Sequence, residues 1–201
     1  MPRKIAFIQG SPRKNGNTRA VATIAMEAAR ENNAEVVEID ATELEFKTPG
    51  CIGCRKCQQS EEFVCVIGDQ MAQTVATLPE YDVIVMATPI YWYSYSAQIK
   101  ILIDRMYSLS KYTKLGGIRT PLDGKIFALM ATGGGPVENN LELLESQWRK
   151  PAERRGCSFF SCLFPNTSPE AGTLAKDPSA VEKAKNFGRL LASAKQKTNT
   201  L

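Results

Sequence analysis

Five short apolar segments recur along the chain, and segments of helical character separate them. The apolar runs are KIAFIQ at 4–9, EVVEID at 35–40, DVIVMATP at 82–89, KIFALMAT at 125–132 and GCSFFSCLF at 156–164. Apolar runs of this length are typical of strands buried on both faces of a parallel sheet. Their alternation with helices predicts an α/β fold in which a doubly wound, five-stranded parallel sheet carries helices on both faces.

Five segments are predicted to be helical: 18–33, 69–81, 96–112, 138–153 and 178–196. Asp69 and Ser96 are expected to cap the second and third of them. Pro151 should end or kink the fourth, because proline removes a backbone donor and crowds the preceding turn. The stretch 41–68 is predicted to be irregular, and the last few residues are predicted to be loose.

The size and charge of the chain limit what it can be. Its 201 residues, 43% of them hydrophobic, suit one domain over 1–201 with a substantial core. A net charge of +4 is too mild for nucleic-acid binding, and no Lys/Arg run forms a basic patch. MPRKIAFIQG lacks the features of a signal peptide, and no stretch approaches the length of a membrane span. We therefore expect a cytoplasmic protein with no membrane partner, where reducing conditions argue against disulfides.

The segment GSPRKNGNT at 10–18 joins the first strand to the first helix and is rich in hydrogen-bond donors. Backbone N–H groups at a helix start attract anions, and two glycines allow a ligand to approach closely. Hydroxyl, amide and guanidinium donors are added by Ser11, Arg13, Asn17 and Thr18. An ordinary strand–helix turn is the alternative. The glycine spacing matches neither the triphosphate loop nor the dinucleotide fingerprint, so a phosphomonoester ligand is predicted.

Two further loops follow the third and fourth strands. In TPIYWYSYS at 88–96, three consecutive aromatic residues crowd a loop, which is unfavourable in water unless they meet a flat or apolar partner. At least one of these rings is expected to serve as a core or dimer contact. ATGGGP at 131–136 offers backbone that can lie against a ligand, although a plain flexible loop is an equal alternative. The carboxyl ends of parallel strands share one edge, so all three loops should converge there.

GSPRKNGNT together with TPIYWYSYSAQIKILIDR resembles the flavodoxin-like NADPH-dependent FMN reductase family, and the resemblance extends from residue 4 to about 165. It implies strand order 2-1-3-4-5, a bound FMN and pairing of subunits near the flavin. The residues that match the phosphate-contacting positions are Ser11, Arg13, Asn17 and Thr18. Those that match the flavin-lining positions are Pro89, Ile90, Tyr91, Trp92, Tyr93, Ser94, Thr132, Gly133, Gly134 and Gly135.

A cysteine-rich insertion at about 47–68 contains four thiols, Cys51, Cys54, Cys57 and Cys65. The spacing C-x2-C-x2-C is typical of thiolates that wrap an iron–sulfur cluster, and zinc also accepts four thiolates. The chain contains no histidine, which excludes any His-containing metal site. Iron–sulfur flavoproteins, a branch of the same family, carry a similar motif, and the resemblance implies a 4Fe–4S cluster on these four residues. Free thiols and then zinc are the alternatives. Cys157 and Cys162 are expected to be buried packing residues.

These features favour an FMN-dependent oxidoreductase that passes electrons from NAD(P)H to a quinone, a flavin or another acceptor. The flavin carries the bond chemistry, so no catalytic residue of the protein is assigned. The alternative is an electron carrier that pairs FMN with a 4Fe–4S cluster and meets protein partners. The cysteines favour the carrier, whereas the open aromatic loop and the lack of strong acidity favour the reductase. A nucleotide-binding regulator is disfavoured by the aromatic loop. QIKILIDRMY is more apolar than a peripheral helix requires, which predicts a homo-dimer or homo-tetramer.

Overall fold

The computed structural model describes residues 1–195, and its centre is a five-stranded parallel sheet. The strands are β1 (Lys4–Gln9), β2 (Glu35–Asp40), β3 (Val83–Pro89), β6 (Ile126–Thr132) and β7 (Ser158–Phe164). They lie in the order β2-β1-β3-β6-β7 and every pairing is parallel. The predicted order 2-1-3-4-5 is therefore confirmed, since the two remaining strands, β4 (Lys111–Tyr112) and β5 (Ile118–Arg119), form a separate hairpin. β1, β3 and β6 are buried along almost their whole length, as their unbroken apolar runs require.

Helices cover both faces of the sheet. They are α1 (Asn17–Glu31), α2 (Gln70–Thr77), α3 (Ala97–Arg105), α4 (Glu142–Arg154) and α5 (Pro178–Ser193). One core cluster lies between the sheet and α1 with α5, and a second lies between the sheet and α2, α3 and α4. Asp69 and Ser96 cap α2 and α3 as predicted, accepting from the N–H groups of Ala72 and Ile99. The end of the predicted closing helix at 196 and the loose last residues lie outside the described residues.

The predicted helix at 96–112 was too long. α3 ends at Arg105, a 3-10 turn covers Met106–Leu109, and a short antiparallel hairpin follows with β4 (Lys111–Tyr112) and β5 (Ile118–Arg119). The turn between its strands uses Gly116 at a φ of +82°, which a residue with a side chain rarely adopts. The apolar periodicity of 96–112 continued across this break and concealed the hairpin.

Pro151 was predicted to end or kink its helix, and it does not end it. An irregular turn at Val137–Leu141, with Asn139 at a φ of +54°, precedes α4, and the helix then runs through Pro151 to Arg154. Trp148 and Ala152 on either side of the proline are buried against the sheet. This packing keeps the chain helical across Pro151. The N–H group that Pro151 lacks would lie within one turn of the helix end. Within residues 1–195, no helix is long and apolar enough to cross a bilayer.

Candidate functional site

The loops after β1, β3 and β6 meet at the carboxyl edge of the sheet and enclose a cleft of about 430 Å³. This volume is within the usual range for small-molecule sites. Ten of the residues predicted to bind the cofactor line the cleft: Ser11, Arg13, Asn17, Thr18, Pro89, Ile90, Tyr91, Thr132, Gly133 and Gly134. The structure adds Gly16 and three residues of the loop after β7, which the sequence reasoning missed: Thr167, Ser168 and Pro169. Four predicted residues do not line it: Trp92, Tyr93, Ser94 and Gly135.

The start of α1 forms one end of the cleft and is suited to an anion. Gly16 is the N-cap and provides no side-chain cap, and the first turn contains no acidic residue. The N–H groups of a first helical turn have no partner within the helix, so they can donate to a ligand. The Ser11 hydroxyl lies beneath them, buried, and accepts from the backbone N–H of Arg13 at 3.3 Å. This end of the cleft therefore combines amide donors, a hydroxyl and the Arg13 guanidinium.

The Asn17 side chain is occupied by the protein itself. Its amide nitrogen donates to the carbonyl oxygens of Ser168 (3.0 Å) and Glu170 (2.8 Å), and its oxygen accepts from the backbone N–H of Leu174 at 3.0 Å. Arg13 donates to the carbonyl of Pro169 at 2.9 Å. Asn17 thus holds the loop after β7 over the cleft, and its backbone N–H rather than its amide is the group positioned to meet a ligand. These hydrogen bonds join residues that are at least 151 positions apart in the sequence, so no local sequence pattern could predict them.

Two further contacts fix the end of the cleft that the start of α1 forms. Thr18 and Thr132 share a buried hydrogen bond of 2.7 Å between their hydroxyl oxygens, which ties α1 to the end of β6. Arg19 donates to the carbonyl of Ser11 at 3.1 Å and to the Asp40 carboxylate at 2.6 Å. Burial raises the pKa of Asp40, but hydrogen bonds from Thr42 and Arg19 outweigh it and leave the pKa below its ordinary value. Arg19 and Asp40 therefore orient the loop from outside the cleft.

The aromatic loop forms a tight two-residue turn. Tyr91 and Ser94 exchange backbone hydrogen bonds of 2.9 and 3.0 Å, and the residues between them, Trp92 and Tyr93, have φ values of +49° and +60°. Positive φ is uncommon for bulky residues and costs free energy, so the surrounding structure must enforce this turn. Only Tyr91 of the three rings reaches the cleft. Trp92, 94% exposed, and Tyr93, 59% exposed, project away from the protein.

The glycine loop packs closely against its neighbour. A Cβ placed on Gly133 would lie 2.6 Å from Ile90 Cγ2, so the absence of a side chain there allows the two loops to touch. Ile90 also donates its N–H to the carbonyl of Thr132 at 2.9 Å. Gly135 instead accepts from the N–H of Asn166 at 2.9 Å and so supports the loop after β7. Gly133 and Gly135 are therefore each held by a defined contact with a neighbouring loop.

Gln9 is the last residue of β1 and lies directly before the loop at 10–18. Its side chain is fully buried, and neither its amide nitrogen nor its oxygen has a hydrogen-bond partner among the described residues. Leaving such groups unpaired in a core costs roughly 1–3 kcal/mol. A polar residue at this place in an otherwise apolar strand is a signal that sequence reasoning passed over.

The four clustered cysteines come together in a second place, in the irregular stretch between β2 and α2. Cys51, Cys54, Cys57 and Cys65 all line one small cavity of about 20 Å³, with walls that include Ile52, Val66, Ile67 and Arg105. Cys51 and Cys54 are exposed, Cys57 is buried, and Cys65 is half-buried. Gly50 and Gly53 have φ values of +80° and +67°, so glycine is required where the chain bends around the cavity.

The unpredicted hairpin holds the buried half of this segment. Gln58 donates to the carbonyl of Ser110 at 2.7 Å and accepts from the N–H of Tyr112 at 3.2 Å. The Lys111 ammonium donates to the carbonyl of Cys57 and lies 5.6 Å from the centre of the Phe63 ring. Cys57 is therefore fixed by the hairpin, whereas the residues around Cys51 and Cys54 face solvent.

The donor set suits a thiolate-bound centre in its chemistry. Four cysteines and no carboxylate line the cavity, and backbone or side-chain N–H groups donate to the sulfurs of Cys51, Cys57 and Cys65. In the described part of the chain, however, no three Cys, Asp or Glu side chains lie close enough together to hold a metal ion. The cavity has about the volume of one water molecule. A cluster would therefore require the exposed arm with Cys51 and Cys54 to move relative to Cys57 and Cys65.

The two remaining cysteines are packing residues, as predicted. Cys157, which directly precedes β7, and Cys162 within it are both buried. Burial raises the pKa of the Cys162 thiol to about 12, and it also raises the pKa of Cys157. Neither thiol is a candidate ligand.

The sheet order and the cleft beyond its carboxyl edge define this molecule as a flavodoxin-like protein with a small-molecule site at the switch point. A family model described as NADPH-dependent FMN reductase matches residues 3–143. The chain therefore belongs to the NADPH-dependent FMN reductase family. The family resemblance predicted from the motifs is confirmed, and so is the expectation of an FMN-dependent oxidoreductase at the level of the family.

Individual relatives agree with this assignment. The chain is 32% identical over 144 residues to the iron-sulfur flavoprotein MJ1083 of Methanocaldococcus jannaschii, which covers 71% of this chain and 70% of that protein. It also matches four further iron–sulfur flavoproteins, and the matched region covers between 45% and 63% of the length of each of them.

Solved structures share the fold. An FMN-dependent NADH-azoreductase from Bacillus anthracis, solved in complex with FMN, superposes with a TM-score of 0.70 at 14% identity, over 94% of this chain and all of that one. An NAD(P)H:quinone oxidoreductase from Methanothermobacter marburgensis gives a TM-score of 0.68 at 17% identity, over 95% of this chain and all of that one.

Proposed function

We propose that this protein is a single-domain FMN-dependent oxidoreductase that takes electrons from NAD(P)H and delivers them to a small acceptor such as a quinone or a flavin. The observation that carries the proposal is the convergence of three loops, each from a different strand, on one cleft that offers amide donors at one end and apolar walls at the other. The family assignment supports FMN as the occupant. The quinone oxidoreductase and the azoreductase that share the fold support a small acceptor.

The residues of the cleft divide between the two parts of FMN. The amides of the first turn of α1, with Ser11, Arg13 and Thr18, would hold the phosphate, because they provide neutral and charged donors without a competing carboxylate. Pro89, Ile90, Tyr91, Thr132, Gly133 and Gly134 would line the ring. A bound flavin supplies hydride and electron chemistry. The chain binds and orients it and excludes water from it, and no side chain has to transfer a proton.

The phosphate assignment can be tested with two ligands that differ only in that group. Arg13→Ala should weaken FMN binding about tenfold or more, since a charge-assisted contact is lost, while riboflavin binding should stay within twofold. Lys14→Ala is the matched control, because Lys14 is a neighbouring cation that pairs with Glu43 at 2.8 Å and does not line the cleft. Equal losses for FMN and riboflavin, or an equal effect of the control, would contradict the assignment.

The reaction is tested by steady-state NADPH and NADH oxidation with a quinone or free FMN as acceptor. Turnover well above the acceptor-free rate supports the reductase. If the flavin-loaded protein shows no turnover beyond background, the reductase is wrong. A colourless protein that cannot take up FMN would favour a regulator without redox activity.

We further propose that Cys51, Cys54, Cys57 and Cys65 hold a 4Fe–4S cluster, which would exchange single electrons. Their shared cavity, the N–H donors around the sulfurs and the similarity to MJ1083 support this. Iron and sulfide analysis after anaerobic reconstitution tests it. Cys57→Ser should lose the iron and sulfide, and Cys162→Ala, a change at a packing cysteine, should retain them. Zinc in place of iron, or neither metal, would overturn the cluster. A cluster together with absent turnover would favour the electron-carrier alternative.

We also propose that the protein is a cytoplasmic homo-dimer or homo-tetramer. The six cysteines are free thiols, which suits a reducing compartment. Tyr91, Trp92, Tyr93 and Leu143 are exposed and leave more apolar surface than an isolated subunit requires. Light scattering during gel filtration tests the assembly, and a mass of one subunit would refute it.

A further inference from the structure

Arg105 is the last residue of α3 and has the largest side chain among those that are fully buried, with 1% of its surface exposed. A charged side chain is rarely buried unless its donors are satisfied. Here Nε donates to the carbonyl of Gly50 at 2.6 Å, and Nη1 donates to the Cys65 sulfur at 3.2 Å. Nη2 lies 2.8 Å from the Thr48 hydroxyl and 2.9 Å from the Asp69 carboxylate.

These partners stand at both ends of the cysteine-rich segment. Thr48 and Gly50 precede Cys51, whereas Cys65 and Asp69 close the segment before α2. One guanidinium therefore clamps the two ends of the segment together. Its planar fork matches acceptors in several directions at once, which the single nitrogen of a lysine cannot do.

Helix α3 is in turn fixed to the flavin cleft. The N–H of Ser96, its N-cap, donates to the Thr88 hydroxyl at 3.1 Å, at the end of β3. A Cβ on Gly10, the first residue of the phosphate loop, would lie 2.1 Å from Ile99 Cγ1, so α3 also packs directly against that loop. The helix thus connects the cleft at its first turn to the cysteine segment at its last residue.

We propose that Arg105 is a positioning residue that fixes Cys65 and both ends of the cysteine segment to α3, and so holds Cys65 and these two ends in a constant place relative to the proposed flavin cleft. The part that concerns a bound cluster rests on the proposed function. Hydrogen bonds and positive charge beside a cluster sulfur favour the reduced form, so Arg105 would also raise the reduction potential of that cluster.

The anchoring is tested first on metal-free protein, by hydrogen exchange with mass spectrometry. Arg105→Met alone would leave the Asp69 carboxylate buried with no cation beside it. The comparison is therefore between Asp69→Asn, which keeps an amide oxygen as an acceptor for the Arg105 guanidinium, and the double variant Arg105→Met/Asp69→Asn. Amides in 48–67 should exchange at least tenfold faster in the double variant, while those of α1 and α5 stay unchanged. Equal exchange of 48–67 in the two variants would overturn the proposal, whether or not a cluster exists.

The effect on the sulfur centre is tested by redox titration of the reconstituted protein. Arg105→Lys keeps the charge and loses the fork, and Arg149→Lys is the control, because Arg149 pairs with Glu145 on α4 and does not contact the cysteine segment. Arg105→Lys should shift the one-electron equilibrium between the reduced and oxidised cluster at least tenfold toward the oxidised form. A tenfold shift corresponds to a reduction potential that is 59 mV lower. If Arg105→Lys and Arg149→Lys have equal reduction potentials, the proposed influence of Arg105 on the cluster sulfurs is refuted. Wild-type protein that takes up no iron, together with faster exchange in the double variant, would reject the cluster and keep the anchoring.

Discussion

Asp69 combines two roles that the structure allows to be separated. Its carboxylate accepts from the N–H of Ala72 at 2.9 Å and so caps α2, and it also pairs with the Arg105 guanidinium at 2.9 Å. Both side chains of the pair are almost completely buried. Replacing Asp69 with Ala therefore removes a helix cap and leaves a cation in the core without its counter-ion.

The two losses differ in size. Removing an Asp cap costs about 0.5–2 kcal/mol. Removing one partner of a buried ion pair costs about 3–5 kcal/mol, because the remaining charge stays desolvated and uncompensated. Asp69→Ala should therefore lower the free energy of unfolding by about 3.5–7 kcal/mol, a large part of the stability of an ordinary domain.

The matched control is Asp177→Ala. Asp177 caps α5 by accepting from the N–H of Ser179 at 2.9 Å, but it is exposed and contacts no arginine. Its loss should cost only about 1 kcal/mol. The assay is urea unfolding of the metal-free proteins, followed by circular dichroism. If the two variants differ by less than about 1 kcal/mol, Asp69 acts as a cap alone and the role given to the buried pair is wrong.

Three further outcomes are expected. Gly133→Ala should destabilise the protein by about 1–3 kcal/mol and weaken FMN binding, because its methyl group would displace Ile90 from the cleft wall; unchanged unfolding and FMN titrations would contradict this. Gln9→Met should stabilise the flavin-free protein by roughly 1–3 kcal/mol in thermal unfolding, since two unpaired buried polar atoms are removed; a loss of stability would show that the amide has a partner. Burial raises the pKa of Asp69, but the N–H groups of Lys47 and Ala72 and the Arg105 charge leave it lowered overall. The stability that ionised Asp69 provides is therefore fully present above its unfolded pKa of about 3.9, and it is lost as the pH falls through the lower pKa of the folded state. Below pH 4, the wild-type protein should therefore lose more stability than Asp69→Asn.

Ten of the residues that the sequence proposed as cofactor-binding line the same cleft, because they are local in sequence to the ends of the buried strands. Each of its loops directly follows a buried strand, and a parallel sheet places all carboxyl ends at one edge, so finding β1, β3 and β6 was enough to bring Ser11, Tyr91 and Gly133 together. The sequence did not reveal that Trp92 and Tyr93 lie outside the cleft, because composition does not show where a tight turn directs its side chains. The hydrogen bond between the Asn17 amide and the loop after β7 could not be predicted, because it joins residues that are 151 positions apart in the sequence.

The cysteine segment shows the opposite case. Its four thiols were evident from their spacing, but their supports were not. The hairpin that holds Cys57 was hidden in an apolar periodicity that continued past the end of α3. Arg105 gave no signal either, since an arginine at the end of an amphipathic helix ordinarily faces solvent.

The sequence by itself determined the α/β class, the five buried strands and the loops that follow them, because short-range patterns of polarity and glycine specify strands, helices and the loops between them. The strand order was implied by the family resemblance. Tertiary structure alone decided that a buried arginine clamps the ends of the cysteine segment, that Asn17 binds its own chain, and that two aromatic rings point away from the cleft. These features depend on which distant groups are brought within about 3 Å of one another, and such distances follow from packing rather than from any local pattern.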